Sequence, residues 1–170
     1  MTSKETIQLA LHFSDQFAGA LADMKDAPLT RPGDWGGNHP MWIAGHLAVV
    51  EGRLHKMLFG TPNPLEHWKP LFDWGTHPTD DPTAYPPFET VLNEFASLRA
   101  KTKAYLDTLD DAGLEKPLAV EAPGLPFGSV GKTITTIALH QCLHAGEAAV
   151  ARRAAGKKPF FTPSDELRAF

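Results

Sequence analysis

The chain has 170 residues, 42% of them hydrophobic and 21% charged, which is typical of one soluble globular domain with a substantial core. Its formal net charge of -4 at pH 7 argues against nucleic acid or an anionic membrane as a partner. The single cysteine, Cys142, rules out an internal disulfide, and the first residues lack the pattern of a signal peptide. No apolar run reaches about 18 residues, so we expect a cytoplasmic protein without a membrane span.

Four segments show the spacing of amphipathic helices. They cover about residues 2–26, 38–60, 88–109 and 129–156. Thr2 and Glu5 form a capping box at the start of the first, and Asn38 is a good cap for the second. Each is long enough for one arm of a four-helix bundle, so we predict an all-α fold. Strand signals are weak, although residues 118–121 could form a short strand between prolines.

The connection between the second and third helices is unusually long. It spans residues 61–87 and contains seven prolines and four aromatic residues: Trp68, Phe72, Trp74 and Tyr85. A tight antiparallel pair needs only a few linking residues, so this length indicates a crossover between parallel helices. The aromatic residues suit either a lid over a pocket or a plug at the end of the bundle.

Three histidines can meet inside such a bundle. His140 and His144 are one helical turn apart in the fourth helix, so their imidazoles point the same way. His46 lies on the apolar stripe of the second helix, between Ile43 and Val50. Alone, His46 would be more typical of a hydrogen-bonded core residue. Together the three predict a metal site with open coordination positions, as catalytic zinc sites have.

Two carboxylates lie near these positions. Glu147 follows His144 by three residues and could be a fourth ligand, a hydrogen-bond acceptor for an imidazole, a proton carrier, or a solvated helix residue. Glu51 flanks the second helix's stripe and is a weaker candidate for the same roles. The other five histidines and Cys142 show no pattern that predicts a site.

The fourth helix is apolar nearly all round, because Leu139, Leu143 and Val150 lie opposite the histidines. A helix of this kind is usually buried on more than one side. We therefore expect it either at the centre of the fold or against a second subunit, which would make the protein a homodimer.

These motifs resemble the DinB/YfiT-like metalloenzymes over residues 3–157. The likeness rests on Trp42-Ile43-Ala44-Gly45-His46-Leu47-Ala48, on the run His140 to Glu147, and on Arg152, Arg153 and Gly156. It implies an up-down-down-up four-helix bundle, with one domain over residues 1–158 and a tail over 159–170. It also implies that His46, His140 and His144 hold a divalent metal, commonly zinc or nickel. The family often has glutamine where this chain has Glu147.

The resemblance implies a reaction as well. Characterised members of the family include transferases and isomerases that use low-molecular-weight thiols such as bacillithiol or mycothiol. The first hypothesis is therefore a thiol-dependent S-transferase or isomerase acting on a small-molecule substrate. Two alternatives stay open: a non-enzymatic metal-binding bundle that acts in dimerisation, and a metal-assisted hydrolase with Glu147 as proton shuttle.

Overall fold

The computed structural model describes residues 1–27, 29, 37–122 and 128–159. Over these residues the secondary structure is entirely helical, which confirms the all-α class. The helices in chain order are α1 Ser3–Gly19, α2 Pro40–Phe59, α3 Lys69–Phe72, α4 Phe88–Asp107, α5 Asp111–Leu114 and α6 Val130–Ala154. Short 3-10 turns lie at Ala22–Met24, Glu66–Trp68 and Pro82–Ala84. Most of the predicted tail, residues 160–170, lies outside the described residues.

The helix ends follow local chemistry. The capping box of Thr2 and Glu5 forms at the start of α1. The cap of α2 is His39 rather than the predicted Asn38, because the Nδ1 atom of His39 accepts a hydrogen bond of 3.1 Å from the backbone N–H of Trp42. Gly60 ends α2 in the left-handed conformation, with φ of 72°.

Residues 118–121, which could have formed a short strand, instead lie against the C-terminal end of α2. The backbone N–H of Val120 donates to the carbonyl of Met57 over 3.2 Å, and no strand forms in the described part of the chain. This bond satisfies one of the last carbonyls of the helix, which have no partner within it.

The most deeply buried helix is α2, which packs against α3, α4 and α6. Its side chains contribute to both apolar clusters of the core. By contrast α6, which the sequence indicated as apolar all round, leaves Leu139 57% and Leu143 75% exposed. The second helix, not the last, is therefore the one surrounded by protein in the single chain.

The connection 61–87 packs closely on α2 at Asn63 and Phe72, because two glycines of α2 leave room for these side chains. A Cβ atom on Gly45 would stand 2.5 Å from Cγ of Phe72, and one on Gly52 would stand 2.9 Å from Cγ of Asn63. Both distances are far below the contact distance of about 3.5 Å or more. Trp68 and Phe72 are buried in the core, whereas Trp74 is 86% exposed. Tyr85 is partly buried against the same core and stacks on Phe72, so three of the four aromatics in this segment are packing residues.

Among the described residues, no helix combines the length and the apolar character needed to cross a bilayer.

Candidate metal centre

The three predicted histidines do meet. His46 projects from α2 and His140 and His144 project from α6, and one ring nitrogen of each lies within 4.8 Å of the others. The Nε2 atom of His140 is 3.4 Å from Nε2 of His46 and 3.2 Å from Nε2 of His144. The site thus forms where α2 and α6 pack together, with one nitrogen of every ring turned inward.

Hydrogen bonds at the outer nitrogens fix the orientation of two rings. Nδ1 of His46 lies 2.7 Å from the carbonyl oxygen of Phe72, and Nδ1 of His144 lies 2.9 Å from Oε2 of Glu147. Because a carbonyl and a carboxylate only accept hydrogen bonds, both Nδ1 atoms carry the proton. In the neutral rings, each Nε2 atom therefore offers a lone pair to the centre of the site.

Burial keeps the rings of His46 and His140 neutral. Loss of solvation lowers the pKa of His46 and of His140 to about 4 each. A neutral imidazole is the form that binds a metal. Nδ1 of His140 is buried without a hydrogen-bond partner among the described residues.

The spacing suits a divalent ion. Two nitrogens bound tetrahedrally to one ion at about 2.05 Å are about 3.3 Å apart, and the separations of His140 Nε2 from His46 and from His144, 3.4 and 3.2 Å, bracket that value. All three nitrogens lie within 4.8 Å of one another. Three neutral imidazoles with converging lone pairs are a donor set for zinc, nickel, copper or iron. The residues present therefore fit a bound divalent metal ion.

A stacked tryptophan holds His46 from its face. The rings of Trp42 and His46 are 4.7 Å apart and 8° from parallel. Nε1 of Trp42 donates to the Thr76 hydroxyl over 2.9 Å, so the connection 61–87 holds Trp42 as well as His46. The i, i+4 spacing of Trp42 and His46 is the sequence signal for the first contact, whereas no local pattern indicates the second.

Glu147 accepts hydrogen bonds at the edge of the site. Its Oε2 atom receives one from His144 and another, of 3.1 Å, from Nδ2 of Asn38. The bond from His144 and then that from Asn38 hold the pKa of Glu147 below its usual value. Of the roles considered for Glu147, this geometry matches the acceptor that orients an imidazole. Asn38 was expected only as a helix cap, and no local pattern indicated its second partner.

Glu51 lies in a separate, buried polar network. It is fully buried, faces the Arg99 guanidinium at 3.1 Å and accepts a hydrogen bond of 2.5 Å from the hydroxyl of Thr102. Burial raises the pKa of Glu51. Gln141, which follows His140 on α6, accepts a hydrogen bond from Arg99 and lies 3.5 Å from Glu51. Glu51 is thus bound to Arg99, Thr102 and Gln141, and no contact between Glu51 and the three histidines is seen among the described residues.

Two histidines outside the site are structural. His55 is buried, with Nε2 3.0 Å from the carbonyl of Leu98. His39, 1% exposed, caps α2 and contacts the carbonyl of Thr79 at 3.0 Å. The remaining three are exposed: His12, His67 and His77.

Comparison with known proteins agrees with this geometry. The family model described as DinB superfamily matches residues 11–148, a span that contains all three histidines and Glu147. No curated protein matches the chain.

Proposed function

Because this chain belongs to the DinB superfamily, we propose that it is a metal-dependent enzyme whose His46, His140 and His144 hold zinc or nickel. The observation that carries the proposal is the convergence of three inward Nε2 atoms, with separations of 3.4 and 3.2 Å. Two of these rings already use their only hydrogen on an outer acceptor. Their lone pairs therefore need a cation or a shared donor at the centre.

We also propose the up-down-down-up bundle for α1, α2, α4 and α6, as one domain over residues 1–158. Three sets of contacts support it. The first set joins α1 and α6. Arg152 near the end of α6 donates to the carbonyl of Ala20 just after α1, and Gly131 at the start of α6 lies beside Ile7, so these two helices run in the same direction.

The other two sets involve α2. His55 of α2 contacts Leu98 of α4, and Phe59 contacts Tyr105, so α2 and α4 also run in the same direction. His46 lies opposite His140, whereas Leu54 lies in one cluster with Ile134, which makes α2 and α6 antiparallel.

The reaction we propose is transfer of a low-molecular-weight thiol to a small electrophilic substrate, or a thiol-assisted isomerisation. When bound, a divalent ion supplies a Lewis acid that favours the deprotonated form of a thiol near neutral pH. The protein's part is to present three neutral imidazoles from two rigid helices and to hold them by bonds to Phe72 and Glu147. Three imidazoles leave coordination positions free for the thiol.

A hydrolase is the second candidate, and one observation favours it. Glu147 uses only Oε2 in hydrogen bonds to the described residues, so Oε1 is free to accept a proton from water. The carboxylate is 40% exposed and its pKa is lowered, which suits a proton acceptor better than a donor. Turnover without any thiol, slowed strongly in Glu147→Gln, would select this reaction over thiol transfer.

We propose that a second copy of the chain covers the outer face of α1 and α6. Leu9 and Phe13 on α1 are 44% and 45% exposed, and Leu139 and Leu143 on α6 are 57% and 75% exposed. The two helices that carry these side chains pack closely against each other. Sedimentation should find a dimer that Leu139→Glu/Leu143→Glu converts to monomer; a monomeric native protein would refute the dimer without touching the metal site.

Metal content tests the central claim. Protein purified without a metal-binding tag should carry close to one zinc or nickel ion per chain, measured by mass spectrometry after dialysis. His46→Ala, His140→Ala and His144→Ala should each lose it, whereas His12→Ala, at an exposed histidine of α1, should keep it. Retention of the metal in all three variants, or failure of metal-free native protein to bind zinc or nickel, would refute the site.

The thiol is tested separately. Cobalt in place of the native metal gives an absorption band when a thiolate binds, and titration with bacillithiol or mycothiol should produce it in the native protein. A band with β-mercaptoethanol but with neither cofactor thiol would count against thiol transfer while leaving the metal site in place.

A further inference from the structure

The three histidines are divided between two pairs of closely packed helices. Helix α6 packs more extensively on α1 than on α2, and α2 packs more extensively on α4 than on α6. His46 therefore belongs to the pair α2–α4, whereas His140 and His144 belong to the pair α1–α6. The distance between His46 and the other two rings thus depends on how firmly one pair is held against the other.

His140 depends on this packing more than the other two histidines do. The outer nitrogens of His46 and His144 have hydrogen-bond acceptors in Phe72 and Glu147. The outer nitrogen of His140, Nδ1, is buried and has no partner among the described residues. Because no acceptor there fixes its ring, the position of His140 is set by the place of α6 relative to α2.

One buried guanidinium links the two helix pairs beside the histidines. Nη2 of Arg99, on α4, donates to Oε1 of Gln141 on α6 and lies 3.1 Å from Oε2 of Glu51 on α2. Gln141 immediately follows His140, and Glu51 comes five residues after His46. Each of the two helices that carry the histidines is therefore joined to Arg99 within about two helical turns of its histidine.

This polar network of Arg99, Glu51 and Gln141 is shielded from water. The three side chains are 4%, 0% and 1% exposed. Hydrogen bonds that involve a charged group are roughly twice as strong as neutral ones and require a defined geometry. Nε of Arg99 also lies 3.4 Å from Asp15 on α1, so Arg99 reaches α1, α2 and α6. Apolar contacts between helices are not directional, so the network is what defines the position of one pair against the other.

We propose that Arg99 and Gln141 are positioning residues of the metal site, which hold His140 at the distance from His46 that one ion can bridge. The inference rests on the proposed metal-binding function and concerns residues that do not themselves bind the ion. Metal ligands have to be held within about 0.5 Å of their working positions. The network holds His140 in this way before a metal binds. Residues that support ligands typically change metal affinity about 10–100-fold.

Gln141→Met tests the link to α6. It removes the hydrogen bond from Arg99 but leaves the pair of Arg99 with Glu51 and a side chain of similar length. Zinc affinity, measured by competition with a chromophoric chelator, should fall at least about tenfold. The visible spectrum of the cobalt-loaded protein should change as well, because it reports the arrangement of the ligands around the ion.

Thr102→Val is the matched control. Thr102 is also fully buried and donates to Glu51 over 2.5 Å, but this hydrogen bond lies within the pair α2–α4. The substitution should lower the urea concentration at which the protein unfolds and leave both zinc affinity and the cobalt spectrum as in the native protein. A role in stability alone would instead lower zinc affinity in both variants.

A second measurement needs no metal. The ring centres of His46 and His140 are 5.2 Å apart, so nuclear Overhauser contacts between the two rings are expected in the metal-free native protein. These contacts should weaken in Gln141→Met and persist in Thr102→Val.

A triple variant separates the position of His140 from the stability of the core. Arg99→Met/Glu51→Leu/Gln141→Leu replaces the buried polar groups by apolar side chains, a change that is often neutral or stabilising. Circular dichroism and urea unfolding should find a folded protein, and its zinc affinity should still be at least about tenfold below that of the native protein.

Two results would overturn the proposal. The first is native zinc affinity together with native ring contacts in Gln141→Met, and the second is an equal loss of zinc affinity in Gln141→Met and Thr102→Val. Failure of the native protein to bind zinc or nickel is a different result, which refutes the proposed function. The ring contacts of the metal-free proteins then still decide whether Gln141 positions His140.

Discussion

Gly45→Ala is the substitution that links the fold most directly to the metal centre. The added Cβ would stand 2.5 Å from Cγ of Phe72 and nearer still to two other ring atoms. Carbon atoms in contact need about 3.5 Å, so the ring or α3 has to move by about 1 Å or more. Because Cγ itself is involved, rotating the end of the side chain does not relieve the clash. Phe72 is fully buried and stacks on Tyr85 at 5.4 Å, so its backbone has to move with it.

The movement has two measurable effects. Overpacking costs about 1–3 kcal/mol, and the gain in helix propensity from glycine to alanine offsets about 1 kcal/mol, so the unfolding free energy should fall by about 0–2 kcal/mol. The carbonyl of Phe72 is the acceptor that fixes the His46 ring. Losing such an acceptor typically lowers metal affinity about 10–100-fold, so zinc affinity should fall by at least about tenfold while most of the stability remains.

Gly146→Ala is the matched control. Gly146 also lies inside a long helix, but a Cβ added there meets nothing within 4 Å. This variant should gain up to about 1 kcal/mol of stability and keep the native zinc affinity. Affinities come from competition with a chromophoric chelator, and stabilities from urea unfolding of the metal-free proteins. Equal zinc affinity in the two alanine variants would refute the idea that close packing of α3 on α2 holds His46.

Three further predictions concern the groups that support the site and the core. Asn38→Ala removes one of two hydrogen bonds to Glu147 and should weaken zinc binding less than Glu147→Ala does; an equal loss in the two would show that Asn38 acts otherwise. Arg99→Met leaves Glu51 buried without its cation and should cost about 3–5 kcal/mol of unfolding free energy, whereas Arg99→Met/Glu51→Leu should recover most of it; urea unfolding that finds the two variants equal would contradict the pairing. Burial lowers the pKa of His55, so below about pH 6.5 the unfolded chain binds a proton there that the folded chain does not, and stability falls as the pH falls. The raised pKa of Glu51 has the opposite effect on stability, so the native protein is compared with His55→Gln. The substitution should reduce the slope of unfolding free energy against pH by up to about 1.4 kcal/mol per pH unit. An unchanged slope would refute the role given to His55.

The sequence by itself determined the helical class and most of the helix ends, and it identified the three histidines that could meet. These follow from short-range rules: apolar residues repeat at the helical period, Ser129 and Gly60 mark helix ends, and His140 and His144 share a face because they are one turn apart. The apolar stripe around His46 by itself predicts that this residue lies inside the fold, as it does at 4% exposure.

Only the tertiary structure decided what surrounds the histidines. The carbonyl that holds His46 comes from Phe72, 26 residues further along the chain, and the amide that holds Glu147 comes from Asn38, 109 residues before it. Tertiary structure also decided which helix is the most buried, because α2 packs against α3, α4 and α6. Periodicity specifies which face of a helix is apolar, but not how many neighbours will cover it. Those neighbours are fixed by packing between segments far apart in sequence, which no local pattern encodes.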